Sequence, residues 1–239
     1  MPKTEKLKRG KKIAILQSNY IPWKGYFDII NSVDEFIIYD EVQYTKNDWR
    51  NRNKVKTSAG IKWLTIPVFH TIDQSISETR TTNNLWRKKH WATITQNYKK
   101  AEYFGRYKDV FEELYLGDDT LLSKINFRFI LAVNKLLGIN TKLSSSASYP
   151  SRGGKTERLV QICSQAGAAE YVSGPSARDY IDKEAFAKEN ISLTWFDYAG
   201  YTRYPQLYPP FEHTVSIIDL IFNAGPDAHK YMKSFGENR

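Results

Sequence analysis

The sequence predicts an α/β fold built on a parallel sheet, with a helical insertion. Residues 12–17 and residues 35–40 are short, mostly apolar runs, and each predicts a buried strand. Between them, Phe27, Ile30 and Val33 fall on one face of a helix. A strand, a helix and a second strand within about 30 residues predict a βαβ unit with a right-handed connection.

The region that follows is predicted to leave the sheet. Residues 53–57 and 61–68 flank a short loop that contains Gly60, which predicts a hairpin. Residues 71–83 are rich in Thr, Ser and Asn and predict an exposed loop. Helical patterns, the last closed by Gly138, follow at residues 85–98, 104–116 and 121–137. They predict a helical insertion at about 85–138.

Alternating strands and helices return after residue 140. The elements are predicted at residues 141–145, 155–166, 170–173, 183–189 and 191–196. Residues 144–154 form the most linker-like stretch. The simplest organisation is a single α/β domain over residues 13–239, preceded by a disordered basic tail at residues 1–12.

The net charge of +9 is concentrated in two segments. Residues 1–12 contain six Lys or Arg and one Glu, and residues 46–56 contain five Lys or Arg and one Asp. Because the rest of the chain is close to neutral, the second segment predicts a local basic site. Such a site suits the phosphate or carboxylate of a small ligand as well as nucleic acid.

Residue types also restrict the chemistry. Cys163 is the only cysteine, so a disulfide within the chain is excluded, as is typical of a reducing compartment. The four histidines lack metal-ligand spacing, and neither a metal nor a cofactor is predicted. Without a signal-peptide pattern or a run of 18 apolar residues, the sequence predicts a cytoplasmic protein with no membrane span.

Two candidate sites follow the first two strands. Residues 18–26 predict a pocket walled by Tyr20, Trp23 and Tyr26, with Gly25 allowing a ligand to approach the backbone. The alternative is a hydrophobic staple for the first helix. Residues 44–54 predict a site for phosphate and a base or sugar, and the alternative is a solvated basic loop. The candidates for ligand binding there are Trp49, Arg50, Asn51 and Lys54.

Three later segments offer further candidates. Residues 153–158 begin a helix but lack the earlier glycine of a P-loop, so Lys155 is predicted only to hold an anion. Residues 173–180 predict an anion or ribose contact, or else a near capping box of Ser176 with Asp179. Asp219 lies in an apolar helix and predicts either a polar network or a base.

Several unusual strings together resemble the WbqC-like family. In order they are QSNYIPWKGYFDII, NDWRNRNKVKT, IKWLTIPV, GGKTERL, SGPSARDYI, YPQL and SIIDLIFNAGP. The resemblance runs from about residue 13 to residue 232, which is nearly the whole chain. The first motif of the family most often has Pro where this chain has Ser18, so a rigid turn is absent here.

The resemblance implies a role in the biosynthesis of bacterial O-antigen and related surface polysaccharides. The family has been suggested to include glycine or other aminoacyl transferases that act on amino sugars. It carries no established catalytic assignment, so the matched residues are candidates for a site. They are Gln17, Tyr20, Trp23, Gly25, Tyr26, Trp49, Arg50, Asn51, Lys155, Glu157, Arg158, Ser173, Gly174, Ser176, Asp179, Tyr180, Tyr204, Gln206 and Asp219.

The order of elements also resembles the nucleotidyltransferase branch of the Rossmann-like folds, which implies a three-layer parallel sheet. That branch has a His-x-Gly-His motif at its first helix. Residues 23–26 here read Trp-Lys-Gly-Tyr. The resemblance therefore leaves room for a nucleotide-shaped pocket but not for that mechanism.

The first functional hypothesis is an enzyme that binds a nucleotide-activated amino sugar and transfers an acyl or aminoacyl group to its amine. Trp49, Arg50 and Lys54 would hold the diphosphate, and Asp219 or Glu157 would accept the proton of the amine. The donor would be an acyl carrier or an aminoacyl-tRNA, which requires no ATP site. The alternatives are a sugar-nucleotide-binding module without chemistry and a nucleic-acid-binding protein.

Overall fold

The computed structural model describes residues 10–236, which divide into two compact units. The sheet unit contains the chain up to Leu16, Val33–Ile38 and Thr141–Asp197. The helical unit contains Gln17–Ser32, Tyr39–Asn140 and the chain from Tyr198 onward. Most of the predicted basic tail, residues 1–9, lies outside the described residues. The organisation as one α/β domain stays a prediction.

The secondary structure begins with a βαβ unit and a hairpin, and helices follow the hairpin. In chain order the elements are β1 (Lys12–Leu16), α1 (Lys24–Asn31), β2 (Glu35–Ile38), β3 (Arg52–Thr57), β4 (Gly60–Thr65), α2 (Leu85–Tyr98), α3 (Phe104–Leu116), α4 (Leu122–Leu137), β5 (Lys142–Ser145), α5 (Lys155–Gln165), β6 (Glu170–Ser173), α6 (Lys183–Lys188), β7 (Ser192–Trp195) and α7 (Ile217–Ala224). The predicted helices, strands and hairpin are all present, with bounds that differ by a few residues at most.

The sheet unit is built around five parallel strands. Their spatial order is β5-β2-β1-β6-β7, and every neighbouring pair is parallel. The strand order changes direction between β1 and β6, which is the topological switch point of a Rossmann-like sheet. Right-handed connections on the two sides of such a switch are those of a three-layer α/β fold, so the predicted fold class is confirmed.

The central strands are apolar because the sheet buries them. Ile13 and Ala14 of β1 and Phe36 and Ile37 of β2 have no exposed surface. Side chains at successive positions point to opposite faces of a strand, so neighbouring buried residues mean that both faces are covered. This burial explains why the two runs read as continuous apolar segments rather than as alternating ones.

A buried carboxylate at the start of β2 links this strand to β5 and to Lys11. Glu35, at the start of β2, accepts hydrogen bonds from Ser144 at 2.5 Å and Tyr149 at 2.7 Å, and its carboxylate pairs with Lys11 at 2.7 Å and Lys142 at 3.1 Å. Burial raises the pKa of Glu35, but these hydrogen bonds outweigh burial and lower it to about 2. The linker-like stretch therefore begins inside β5 and is tied to the sheet.

The helical unit contains the β3–β4 hairpin and the remaining helices. Gly138, with a φ of 71°, ends α4 in the left-handed conformation, as the sequence predicts. Every residue of α7 is buried. Its Phe222 ring lies 5.6 Å from Tyr98, 5.0 Å from Phe104 and 5.2 Å from Phe111. The apolar helix α7 is thus a core element that α2 and α3 enclose.

Tyr20 belongs to a buried aromatic cluster in the same unit. Its hydroxyl lies 2.9 Å from Nδ1 of His90 and 2.7 Å from the hydroxyl of Tyr115. Its ring makes edge contacts with Trp86 at 6.0 Å and Phe129 at 5.7 Å. Burial lowers the pKa of His90 to about 4, so its imidazole is neutral at neutral pH.

The loop at residues 71–83 is exposed only in part. Ile72 is 85% exposed, as the polar composition predicts, but Ile76 and Thr79 have no exposed surface. The amide of Ile76 donates to the carbonyl of Val42, and the amide of Leu122 donates to the carbonyl of Thr79. These backbone hydrogen bonds join the loop to its neighbours, and local composition does not reveal them.

Replacing Glu35 with Gln should lower the free energy of unfolding at pH 7 by about 2 kcal/mol, because two lysines lose their charged partner. The pKa of Glu35 lies below its ordinary value of 4.5, so its contribution is complete above pH 4.5 and is lost as the pH falls towards 2. The variant should therefore show a flatter dependence of stability on pH in that range. Urea unfolding at several pH values measures both effects.

The matched control is Glu170→Gln, which removes a partly exposed ion pair with Lys12. This change should have a much smaller effect, because exposed pairs contribute little. Equal losses in the two variants would contradict a special role for Glu35.

Candidate functional site

A cavity of about 210 Å³ lies within the helical unit. Its walls come from the loop after β1, the loop before β3, β3 itself and the loop before α7. The lining residues are Asn19, Pro22, Trp23, Trp49, Asn53 and Thr214. We call it the Asn19 cavity. Two of its residues, Trp23 and Trp49, are among the predicted site residues.

The loop after β1 is held by hydrogen bonds to its backbone. Nδ2 of the buried Asn53 donates to the carbonyls of Tyr20 and Ile21, each at 3.0 Å. The amide of Tyr20 donates to the carbonyl of Trp49 at 2.9 Å. Ile21 has a φ of 37°, which is strained for a β-branched residue, and these bonds hold it in place. The cavity wall is therefore preformed.

The aromatic residues of this loop have different environments. Tyr20 and Tyr26 are buried, and the hydroxyl of Tyr26 donates to the carbonyl of Gln17 at 3.0 Å. Of these three aromatic residues, only Trp23 lines the Asn19 cavity. Its ring lies 5.4 Å from the ring of Tyr198 and 5.5 Å from the ring of Tyr201. The predicted pocket wall thus contains one aromatic residue of the loop, and the other two stabilise the fold.

Gly25 has a packing role that the sequence does not reveal. The indole of Trp23, the N-cap residue of α1, lies directly against Gly25. A Cβ atom at position 25 would overlap that indole. The absent side chain therefore makes room for Trp23.

A second cavity, of about 260 Å³, shares Trp49 with the first. We call it the Trp63 cleft. Its lining residues are Asn47, Asp48, Trp49, Arg52, Lys54 and Trp63. All of them belong to the β3–β4 hairpin or to the loop before it.

The Trp63 cleft combines aromatic rings with cations. The rings of Trp49 and Trp63 are 5.3 Å apart and are 38% and 40% exposed. The guanidinium of Arg52 lies 4.4 Å from the Trp63 ring, and Nζ of Lys54 lies 5.6 Å and 5.5 Å from the two rings. These are cation–π distances. Trp63 lies outside the predicted segment 44–54, and Arg52 lies inside that segment but is not among the predicted ligand-binding residues. The register that pairs Lys54 with Trp63 places all three on one face of the hairpin.

Arg50 and Asn51, both predicted to bind ligand, make contacts within the protein. Arg50 forms an ion pair with Asp48 at 2.9 Å. Asn51 is buried, and its Nδ2 donates to the carbonyl of Ile66 at 2.8 Å. Asn51 therefore anchors the end of the hairpin, and Arg50 is neutralised by its neighbour.

Two buried titratable groups stand close to the loop after β1. Asp40 accepts a hydrogen bond from the amide of Ser18 at 2.8 Å, and burial raises the pKa of Asp40 to about 6. Nζ of Lys24 donates to the carbonyl of Thr202 at 3.2 Å and lies 4.6 Å from the Tyr201 ring. Burial lowers the pKa of Lys24 to about 8. The pKa values of both groups thus lie closer to neutral pH than their ordinary values.

Asp219 is the centre of a polar network. It has no exposed surface, and it accepts hydrogen bonds from the hydroxyls of Tyr98 and Tyr204, each at 2.8 Å, and from Nε2 of Gln206 at 2.9 Å. Burial raises the pKa of Asp219, although these hydrogen bonds act in the opposite direction. Since both oxygens already accept hydrogen bonds from protein groups, the geometry favours the network over the base.

The network reaches the Asn19 cavity through the loop before α7. Oε1 of Gln206 accepts from the amide of Glu212 at 2.9 Å. The carboxylate of Glu212 accepts from the amide and the hydroxyl of Thr214, at 2.8 Å and 2.7 Å. Nζ of Lys54 then donates to the Thr214 hydroxyl at 3.1 Å. A continuous chain of hydrogen bonds thus connects Asp219 with both cavities.

The remaining predicted residues belong to the sheet unit. Glu157 caps α5 by accepting from the amide of Gly154 at 2.8 Å, and a side chain at Gly153 would overlap its carboxylate. Nζ of Lys155 lies 5.4 Å from the Tyr180 ring. The other residues of this group are Arg158 on α5, Ser173 at the end of β6, and Gly174, Ser176 and Asp179 around a short 3-10 turn.

The near capping box of Ser176 with Asp179 is not formed. Gly174 precedes the turn as its N-cap residue, and Pro175 is the first residue of the turn. The chain enters the turn earlier than expected because Pro favours the first position of a helix.

The described residues contain neither a metal-binding cluster nor a membrane-spanning helix. Among residues 10–236, no three side chains of His, Cys, Asp or Glu form a group that could hold a metal ion. None of the helices in the same range combines the length and the apolar character needed to cross a membrane.

Comparison with known proteins identifies one family. The profile described as "WbqC-like protein family" matches residues 17–231. The uncharacterized protein Rv1507c of Mycobacterium tuberculosis (strain ATCC 25618 / H37Rv) is 51% identical over 229 residues, which cover 93% of this chain and 98% of the relative. No solved structure matches the chain.

Replacing Gly25 with Ala should displace the Trp23 indole and change the near-ultraviolet circular dichroism of the protein, because the new methyl group needs the same space. Gly105→Ala in α3 is the matched control, since a methyl group there meets open space. The control should leave the spectrum unchanged and stabilise the helix slightly. An unchanged spectrum for the Gly25 variant would contradict the packing role.

Replacing Asp219 with Asn should lower the free energy of unfolding by about 3 kcal/mol, because an amide cannot accept all the hydrogen bonds that converge on the carboxylate. Denaturant unfolding monitors the loss. Asp227→Asn, at an exposed pair with Lys230, is the control and should leave stability unchanged. A stable Asp219 variant would exclude the network as a structural requirement.

Proposed function

The chain belongs to the WbqC-like protein family, and on that premise we propose that it is a transferase that acts on a nucleotide-activated amino sugar. The transferred group is acyl or aminoacyl, for example glycyl, and the acceptor is the amine of the sugar. The reaction serves the biosynthesis of O-antigen or a related surface polysaccharide in the cytoplasm.

One observation carries the proposal: two neighbouring cavities share the indole of Trp49. The Asn19 cavity offers indole faces and amide groups, which suit the apolar faces and hydroxyls of a sugar ring. The Trp63 cleft adds Arg52 and Lys54, whose charges suit phosphate. A nucleotide-linked sugar combines the same chemical groups in one molecule.

The proposed step forms an amide bond. The nitrogen of the unprotonated amine attacks the carbonyl carbon of the donor, and the bond between that carbon and the oxygen or sulfur of its carrier breaks. The amine loses a proton, and the carrier leaves as an alcohol or a thiol. The carrier is an acyl carrier or a tRNA, so no ATP is consumed in this step.

The second candidate is a sugar-nucleotide-binding protein without chemistry, and one observation favours it. The two carboxylates that the sequence offers as proton acceptors have structural partners. Asp219 accepts hydrogen bonds from Tyr98, Tyr204 and Gln206, and Glu157 caps α5. Transfer then depends on another base or on an amine that is already neutral.

The experiment has a binding stage and a turnover stage. Sugar nucleotides with and without an amino group are added to the protein, and its melting temperature is measured against free amino sugars. A ligand that binds only the folded state raises that temperature. Mass spectrometry then follows the amino sugar nucleotide in the presence of acyl-carrier and aminoacyl-tRNA donors.

A shift with amino sugar nucleotides and a product heavier by one acyl group would support the transferase. A shift without product would support the binding protein instead. The absence of a shift with every sugar nucleotide would contradict both functions.

Trp49→Ala should weaken binding of the sugar nucleotide by at least about tenfold, because the indole serves both cavities and stacking on an aromatic ring contributes 1–3 kcal/mol per base. Because Trp49 is only 38% exposed, the change also lowers stability, and denaturant unfolding of the variant separates that loss from the loss of affinity. Isothermal titration with the wild-type protein and the variant measures the affinities. Wild-type affinity in the variant would rule out Trp49 as a ligand-binding residue.

A further inference from the structure

We propose that the Trp63 cleft is a nucleoside-diphosphate subsite, in which the base stacks on the exposed indoles and the diphosphate binds Arg52 and Lys54. The proposal rests on the proposed function and refines it, because it assigns each part of the ligand to a place. The protein then recognises the nucleotide independently of the sugar, so nucleoside diphosphates alone are ligands.

Two exposed indoles lie side by side in the Trp63 cleft. Trp49 and Trp63 lie 5.3 Å apart, and each exposes more than a third of its surface. Two large aromatic residues exposed side by side on a folded protein indicate a binding surface. Every base has a flat face that stacks on an indole, so the pair suits a nucleobase.

The basic residues of the segment are not equally available. Arg50 is paired with Asp48 at 2.9 Å, and the buried Lys56 donates to the carbonyl of Pro210. Within residues 10–236, neither Arg52 nor Lys54 belongs to an ion pair. The two cations that line the cleft are therefore the ones available to a diphosphate. The sequence-based hypothesis assigns the diphosphate to Trp49, Arg50 and Lys54, so the structure-based assignment keeps Lys54 and replaces Arg50 with Arg52.

Arg52 also offers a donor that lacks an acceptor. Its Nε is buried and, among the described residues, has no hydrogen-bond partner; the Nε of Arg50 has the same property, but Arg50 does not line the cleft. A buried guanidinium nitrogen without an acceptor is costly. A phosphate oxygen supplies a charged acceptor of the kind that guanidinium groups prefer.

Lys54 fixes the direction of the ligand. It lines the Trp63 cleft, and its Nζ donates to the hydroxyl of Thr214, which lines the Asn19 cavity. The diphosphate is thus held where the two cavities meet. Beyond it, Oδ1 of Asn19 is a buried acceptor without a partner in the described chain, and it suits a hydroxyl or amine of the sugar. The order base, diphosphate and sugar follows the order Trp63, Lys54 and Asn19.

The test uses the full-length protein and isothermal titration. The probes are uridine and guanosine diphosphates, uridine monophosphate, uridine, inorganic pyrophosphate and one uridine-diphosphate amino sugar. We expect a nucleoside diphosphate to bind within about tenfold of the sugar nucleotide. Uridine and pyrophosphate alone should each bind at least about tenfold more weakly, since each lacks one of the two contacts.

Four variants locate the subsite. Trp63→Leu and Arg52→Met should each weaken nucleoside-diphosphate binding by at least about tenfold. Lys62→Met is the matched control, because Lys62 is an exposed cation on β4 that pairs with Val55 and points to the other face of the hairpin. Asn19→Ala should weaken binding of the amino sugar nucleotide but leave nucleoside-diphosphate binding unchanged. Circular dichroism confirms that each variant is folded.

Each outcome decides between the inference and the proposed function. Wild-type affinity of the Trp63 and Arg52 variants for nucleoside diphosphates would overturn the subsite, even if amine transfer is observed. Loss of affinity in these variants without any amine transfer would support the subsite and contradict the transferase. Tighter binding of a single-stranded oligonucleotide than of any mononucleotide, with a steep dependence on salt, would overturn the subsite in favour of nucleic-acid binding.

Discussion

The polar part of the candidate site depends on a carboxylate that lies away from it. Asp219 is buried in the apolar helix α7, where a carboxyl group without hydrogen-bond partners is costly. Tyr98, Tyr204 and Gln206 must therefore be in place when α7 packs. Two of these donors, Tyr204 and Gln206, belong to the loop before α7, so the buried carboxyl group holds that loop by side-chain hydrogen bonds. The same loop carries Thr214 to the cavity wall and to Lys54.

Neighbouring aromatic residues of one turn serve two purposes. Tyr20 satisfies its hydroxyl against His90 and Tyr115 inside the core, whereas Trp23 lies at the cavity. The difference follows from the course of the backbone, which Asn53 holds in place by donating hydrogen bonds to the carbonyls of Tyr20 and Ile21. A crowded aromatic motif can thus contain residues for folding and residues for binding within a few positions of each other. Mutational data on such a motif need a stability measurement beside every binding measurement.

Local patterns in the sequence predict the fold well because they reflect local physical causes. The apolar stripe predicted for residues 121–137 supplies the buried side chains of α4, and the apolar runs of β1 and β2 are the buried strands of a parallel sheet. The site is harder to predict, because it is assembled from distant segments. Lys54 meets Thr214 across 160 residues, and Trp63 on β4 meets Trp49 in the loop before β3. Which arginine is neutralised by Asp48 depends on the geometry of a loop, and composition does not encode it.

The path of the chain has a consequence for how the protein is made. Each compact unit is assembled from three separate segments that alternate along the sequence. The central strand β1 precedes the other described elements along the sequence, yet β6, its second neighbour, follows more than 150 residues later. The helical unit likewise lacks one of its buried core helices until α7 has been synthesised. Contacts between such distant segments slow folding, and the early apolar strands stay exposed while synthesis continues. Exposed apolar strands of this kind are prone to aggregate, so the unfinished chain is more vulnerable to aggregation than the folded protein.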